Sequence, residues 1–295
     1  MKKTVFTGSG VAIVTPMLPD GTIDYKSFCS LIEFQIANGT DAIVVCGTTG
    51  EASAMDDSEH LQVIEKCVEA VAGRVPVVAG TGSNDTRHGM ELSREAAAMG
   101  ADALLQVTPY YNKTNQSGLV RHFTAIADKV DIPIILYNVP SRTGMSIAPA
   151  TYKELAKHPN IVATKEASGD IAHIANVAAV CGPDMHIYSG NDDQIVPILS
   201  LGGKGVISVL ANVAPQAVHE ICSLWALGKT TESLALQLRY MPLNNALFSD
   251  VNPIPVKAAA EMLGYGSSAC RLPLGVLAPE KVLSLRDEMQ KAGIL

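Results

Sequence analysis

Apolar residues along this chain fall into two alternating patterns. Short runs of Val, Ile, Leu and Ala, bounded by Gly, Pro, Asp or Asn, read as buried strands. Between them lie longer stretches with an apolar residue every three or four positions, the mark of amphipathic helices. Eight runs are nominated as strands: 10–15, 41–47, 75–81, 102–108, 133–138, 161–165, 186–189 and 205–210. They recur roughly every 25–30 residues, which leaves room for a crossover helix and implies a parallel sheet. In the second helical stretch Leu61, Ile64, Val68 and Val71 are expected to line one face, with Asp56 and Glu59 as a capping pair at its start.

Internal echoes support a repeated unit. Gly39-Thr40-Asp41-Ala42 and Gly100-Ala101-Asp102-Ala103 each set a helix-ending glycine just before a strand. Val75-Pro76-Val77-Val78 and Ile132-Pro133-Ile134-Ile135 put proline at a strand start, where its missing N–H is tolerated. Eight β-then-α units that can close on themselves predict an α/β fold of the (β/α)8 TIM-barrel type. An open doubly wound sheet usually has fewer strands and often a glycine-rich nucleotide turn, and no G-x-G-x-x-G follows any strand here. Strand signals stop near Gly228, so residues 1–228 are expected to form the barrel and 229–295 a C-terminal helical appendage, with helices at about 230–248, 253–263 and 279–292.

Composition narrows the function classes. Hydrophobic residues make up 47% of the 295 and charged ones 17%, a folded, core-forming balance. The net charge is −7 with no basic run, which argues against a nucleic-acid partner. No apolar run reaches the roughly 18 residues that span a bilayer, and MKKTVFTGSG lacks an apolar signal core, so a soluble cytoplasmic protein is expected. Cys29, Cys46, Cys67, Cys181, Cys222 and Cys270 are scattered without C-x-x-C spacing, as reduced core thiols are.

In a barrel of this kind the chemistry sits at the C-terminal ends of the strands. Those ends carry Gly47-Thr48-Thr49-Gly50-Glu51, Thr108-Pro109-Tyr110-Tyr111-Asn112-Lys113, Tyr137-Asn138-Val139-Pro140-Ser141-Arg142, Lys165-Glu166 and Ser189-Gly190-Asn191-Asp192. Lys165 closes the apolar run that begins at Ile161. Such an ammonium either reaches solvent along its stem or sheds its proton and serves as an amine nucleophile. Glu166 follows it directly and should point the other way by strand alternation. The Thr48-Thr49 pair could present backbone N–H groups to a carboxylate, the phenols can both donate and accept a proton, and Arg142 could clamp a second carboxylate. Glu51 is read as a capping or loop-supporting residue. The seven histidines mostly fall on helices or strand starts and no H-E-x-x-H occurs, so no metal and no cofactor is expected. Gly202-Gly203-Lys204-Gly205 resembles a phosphate cradle but precedes the eighth strand, on the opposite rim. Gly228-Lys229-Thr230 mimics the end of a P-loop, yet Ser223 stands where its first glycine is required.

GTTGE, VTPYYNK, YNVPSRTG and KEASGD, in this order and each after a nominated strand, together with NPIPVKAA and RLPL in the tail, resemble the dihydrodipicolinate synthase family, within the N-acetylneuraminate lyase superfamily. The resemblance implies that Lys165 forms a Schiff base with pyruvate, and that Tyr137, Thr48 and Tyr111 relay protons, Tyr111 coming from a neighbouring subunit. It implies that Thr49 binds the pyruvate carboxylate, that Gly190 and Ile207 line the pocket, and that Arg142 receives the carboxylate of L-aspartate 4-semialdehyde. The product would be 4-hydroxy-tetrahydrodipicolinate, on the route to diaminopimelate and lysine, and the assembly a homotetramer, a dimer of dimers. It also implies a lysine effector site at Ser53, Asp57, His60, Asn84, His88 and Tyr110. Lysine-regulated relatives carry His where this chain has Asp57 and Glu where it has His88, so lysine inhibition is expected to be weak or absent. Two rivals stand beside this reading. One is a lyase for sialic or 2-keto-3-deoxy sugar acids, which would want hydroxyl partners where Arg142 stands. The other is an inactive barrel that only binds.

Overall fold

The computed structural model describes residues 2–295. Eight parallel strands close into a barrel in the order of the chain: β1 (Gly8–Ala12), β2 (Ala42–Val45), β3 (Val77–Gly80), β4 (Ala103–Val107), β5 (Ile134–Asn138), β6 (Ile161–Glu166), β7 (His186–Ser189) and β8 (Gly205–Ser208). Between and after them run α1 (Tyr25–Ala37), α2 (Asp57–Val71), α3 (Thr86–Ala98), α4 (Gln116–Ala127), α5 (Pro140–Thr143), α6 (Pro149–Leu155), α7 (Ile171–Cys181), α8 (Ile195–Ser200) and α9 (Pro215–Ala226). Three helices complete the chain: α10 (Thr230–Leu247), α11 (Ile254–Met262) and α12 (Pro279–Ala292).

Strand alternation divides the apolar residues into two cores. Ala42 and Val44 of β2 point into the barrel with Val78, Leu105, Ile135 and Ile207. Ile43 and Val45 point outward into the layer between barrel and helices, with Phe28, Ile64 and Phe123. Phe6 plugs the barrel floor, stacked on Tyr188 at 4.4 Å between ring centroids.

The seam between β1 and β8 is closed by two glycines. Gly8 and Gly205 are register partners with φ of 110° and 149°. A Cβ on Gly205 would lie 1.8 Å from the Gly8 carbonyl oxygen, so no side chain fits there.

Several strands are shorter than the sequence suggests; side-chain competitors account for two of the ends and a left-handed residue for a third. In place of a ladder carbonyl, the Val14 N–H donates to Asn212 Oδ1 at 3.0 Å, which ends β1 early. Cys46 turns left-handed at φ 54° and ends β2. Val209 and Leu210 N–H donate to Asp192 Oδ2 at 2.9 and 3.0 Å, ending β8 at Ser208. Pro76 and Pro133 lie one residue before their strands rather than at their first positions.

The buried face of α2 is His60, Val63, Ile64, Cys67 and Val71, so Leu61 and Val68 sit at its edge instead of its centre. Its capping pair is half made. Asp56 accepts the Glu59 N–H at 2.9 Å, while the Glu59 carboxylate turns to the Arg271 guanidinium. All six cysteines are free thiols.

Candidate active site

Alternation along β6 delivers its lysine to the barrel interior. Thr164 and Glu166 face the helices: Thr164 Oγ1 lies 3.1 Å from the Tyr152 hydroxyl, and the Glu166 carboxylate is held by Tyr152, Asn138 and Ser168. Burial pushes the Glu166 carboxyl up, against the pull of these hydrogen bonds and of His173. Lys165, between the two, therefore enters the barrel and is only 6% exposed. It pairs with Tyr137 on β5 and Tyr188 on β7. Its Nζ lies 4.4 Å from the centroid of the Tyr137 ring.

Near Lys165 lies a carboxylate that the sequence pattern did not single out for a role. Asp192 is buried; its Oδ2 takes the two N–H groups that end β8, and its Oδ1 has no partner. Burial raises its carboxyl, while hydrogen bonds from Ser208, Leu210 and Val209 and the charge of Lys165 act to lower it.

The Thr48–Thr49 turn follows the left-handed Cys46. Gly50 and Glu51 N–H groups are used within it, donating to Gly47 and Thr48 carbonyls at 3.1 Å each. Thr48 is exposed at the mouth, whereas Thr49 is buried and its Oγ1 takes the Asn252 Nδ2–H at 3.0 Å. Arg142 stands on the one-turn helix α5 and donates to the Asn252 carbonyl at 3.3 Å. Gly190 approaches β6 closely: its N–H donates to the Glu166 carbonyl at 2.7 Å, and a Cβ there would lie 2.6 Å from that of Ala167. Ile207 is fully buried among the inward residues with Tyr137.

A cavity of about 470 Å³ opens here, and Thr48, Tyr137 and Arg142 all line it. Ser53, Asp57, His60, His88 and Tyr110 line the same cavity further out. His88 is already engaged, with Nδ1 3.0 Å from Ser83 Oγ and Nε2 2.9 Å from Asp57 Oδ1. His60 Nε2 lies 2.8 Å from the Gly80 carbonyl oxygen, and burial lowers its pKa. Asn84 joins the group by donating to the Tyr110 carbonyl at 3.2 Å. Tyr111 is not brought in: it is 92% exposed on a left-handed backbone of φ 68°.

The tail reaches back into this site. Glu51, left-handed at φ 57°, caps nothing; its carboxylate pairs with Lys257 of α11 at 2.5 Å and accepts the Arg271 N–H at 2.9 Å. The expectation of loop support at Glu51 holds. Asn252 and Lys257 carry no catalytic signature in sequence, but both lie in the NPIPVKAA segment, which is far too polar at these two positions for a segment packed against a core.

Over residues 5–292 the chain matches the model of the dihydrodipicolinate synthetase family. It is 53% identical over 292 residues to the 4-hydroxy-tetrahydrodipicolinate synthase of Thermoanaerobacter pseudethanolicus, covering 99% of this chain and 98% of that one. Its fold is similar to a chloride-inhibited dihydrodipicolinate synthase from Acinetobacter baumannii in complex with pyruvate, with a TM-score of 0.97, 44% identity, and coverage of 99% and 100% of the two chains. It is likewise similar to the enzyme of Cyanidioschyzon merolae with lysine bound, with a TM-score of 0.96, 41% identity, and the same coverage. A buried lysine beside a phenol at the mouth of a closed barrel thus coincides with similarity along nearly the whole sequence, and the chain belongs to the dihydrodipicolinate synthase family.

Proposed function

We infer that this chain condenses pyruvate with L-aspartate 4-semialdehyde to give 4-hydroxy-tetrahydrodipicolinate, and that Lys165 is the amine that does so. The observation that carries the assignment of residues is the buried Lys165 Nζ at 4.4 Å from the Tyr137 ring, at the C-terminal end of β6. The neutral amine adds to the pyruvate ketone and water leaves, forming an imine. A proton then leaves the methyl carbon, and the enamine attacks the aldehyde carbon of the second substrate. That substrate's own amine displaces Lys165 from the imine carbon, which closes the ring and frees the enzyme. The imine is itself the electron sink, so this reading needs no bound cofactor.

Tyr137 and Thr48 line the cavity where these protons move, and they are the proposed shuttle. Thr49 takes the pyruvate carboxylate and Arg142 that of the semialdehyde, with Gly190 and Ile207 forming pocket walls. The exposed Tyr111 fits a role in the site of a neighbouring copy, which supports a dimer as the catalytic unit and a dimer of dimers as the assembly. Residues 1–228 form the catalytic barrel in this reading and 229–295 a helical domain that braces it. No helix is long and apolar enough to cross a membrane among the described residues, consistent with a cytoplasmic place for the enzyme.

Borohydride reduction in the presence of pyruvate tests the reading directly. The reduced adduct should map to Lys165 by peptide mass, and the enzyme should turn over aspartate semialdehyde but not N-acetylneuraminate. Absence of the adduct, or labelling at another lysine, would overturn the assignment.

A further inference from the structure

Asn252 touches both groups to which substrate carboxylates are assigned. Its side-chain Nδ2–H donates to Thr49 Oγ1 at 3.0 Å, and its main-chain carbonyl accepts the Arg142 guanidinium at 3.3 Å. The side chain is buried, and its Oδ1 has no partner. One turn later in the chain, Lys257 forms the buried ion pair with Glu51, two residues beyond Thr49. Asn252 is thus pinned from the tail side against the turn that carries Thr49.

A threonine hydroxyl has one hydrogen and two lone pairs. With Asn252 Nδ2–H occupying a lone pair, the hydrogen of the buried Thr49 hydroxyl is free to be donated to an anion at the turn, whose neighbouring residue Thr48 lines the cavity. The reverse amide orientation would let Asn252 Oδ1 take that hydrogen, and a carboxylate would then face only lone pairs. Recognition of a carboxylate by Thr49 therefore requires the orientation in which Oδ1 is the atom left without a partner, and this is the orientation the structure has. A buried acceptor without a donor is costly, so the arrangement calls for a compensating gain.

We propose that Asn252 is a positioning residue that fixes the Thr49 hydroxyl as a donor towards the keto-acid carboxylate and, through its carbonyl, holds Arg142 at a set distance from it. The inference rests on the functional reading above, in which Thr49 receives the pyruvate carboxylate. It makes the tail segment a determinant of keto-acid affinity.

The test compares wild-type protein with the Asn252→Ala, Asn252→Asp and Thr49→Val variants, all as full chains. The readouts are the pyruvate concentration that half-saturates borohydride trapping at Lys165, the steady-state KM for each substrate, kcat, and the melting temperature. Asn252→Ala should raise half-saturating pyruvate about tenfold, with kcat and the semialdehyde KM within about threefold of wild type. Asn252→Asp is isosteric and keeps the fold where alanine does not. It takes the hydroxyl hydrogen and adds a negative charge, so half-saturation should rise about fiftyfold or more. In a Thr49→Val background, Asn252→Ala should add little, since the bond it would remove is already gone.

Trapping within about twofold of wild type in Asn252→Asp would overturn the proposal. So would losses spread equally over both KM values and kcat that track a lowered melting temperature. Failure of wild-type protein to trap pyruvate at all would instead sink the functional reading, and the two failures are told apart by that control.

Discussion

Lys257 Nζ and Glu51 Oε1 stand 2.5 Å apart with both side chains only 1% exposed, joining α11 to the turn after β2. Removing one member leaves the other charged and dry, which costs far more than the pair contributes. Lys257→Met should therefore destabilise the fold by about 3–5 kcal/mol. Lys257→Met combined with Glu51→Gln should recover a large part of that loss. Urea unfolding of the two variants against wild type checks both statements.

Tyr137 presents its ring to Lys165 and lines the cavity. Tyr137→Phe keeps the packing and removes the phenol. Turnover should fall about 10²–10⁴-fold, as for loss of a general acid–base group, with the melting temperature nearly unchanged. Trapping of pyruvate at Lys165 should persist at long incubation. Single-turnover and steady-state rates measured side by side would check this.

His122 packs edge-on against Phe123, with Nδ1 2.9 Å from Thr86 Oγ1 and Nε2 buried without a partner. Burial lowers its pKa from the usual 6.5 to about 4. Because the unfolded chain binds this proton more readily than the folded one, stability is complete above pH 6.5 and declines as the pH falls towards about 4. The loss from this one group is at most about 3 kcal/mol. Thermal unfolding at pH 7.5 and 5 should show the decline, and His122→Asn should flatten it.

The outer part of the cavity bears on regulation. The His88 imidazole is tied to Asp57 and Ser83, so an incoming ammonium group would meet an imidazole at position 88, and the Asp57 carboxylate beside it is already engaged by that imidazole. L-lysine at about 1 mM should leave more than half of the activity. His88→Glu should sharpen the response about tenfold by supplying a charge-assisted acceptor. Initial rates against lysine concentration for the two proteins decide this; strong inhibition of wild type below 1 mM would reject it.

The site was legible in sequence to the extent that chemistry is local. Lys165 after an apolar run, the Thr48-Thr49 turn, and Arg142 after a strand each announce themselves by residue type and place. Glu166 was placed behind the lysine by alternation alone, and its partners on α6 and β5 agree with that. What escaped was non-local. Asp192 follows β7 but ends the next strand, β8, and Asn252 and Lys257 act across more than two hundred residues of chain. Strand ends were overrun for the same reason: Val14, Val209 and Leu210 are as apolar as any strand residue, and only the side chains of Asn212 and Asp192 draw their N–H groups off the ladder.

The pairing of Gly8 with Gly205 joins the first strand to the last, so the cylinder cannot shut until almost the entire barrel has left the ribosome. Until then β1 and β7 have open flanks, and the inward apolar residues face water. A methyl group at position 205 would hold that gap ajar permanently. Its effect would be felt in the yield of assembled protein, long before any substrate arrives.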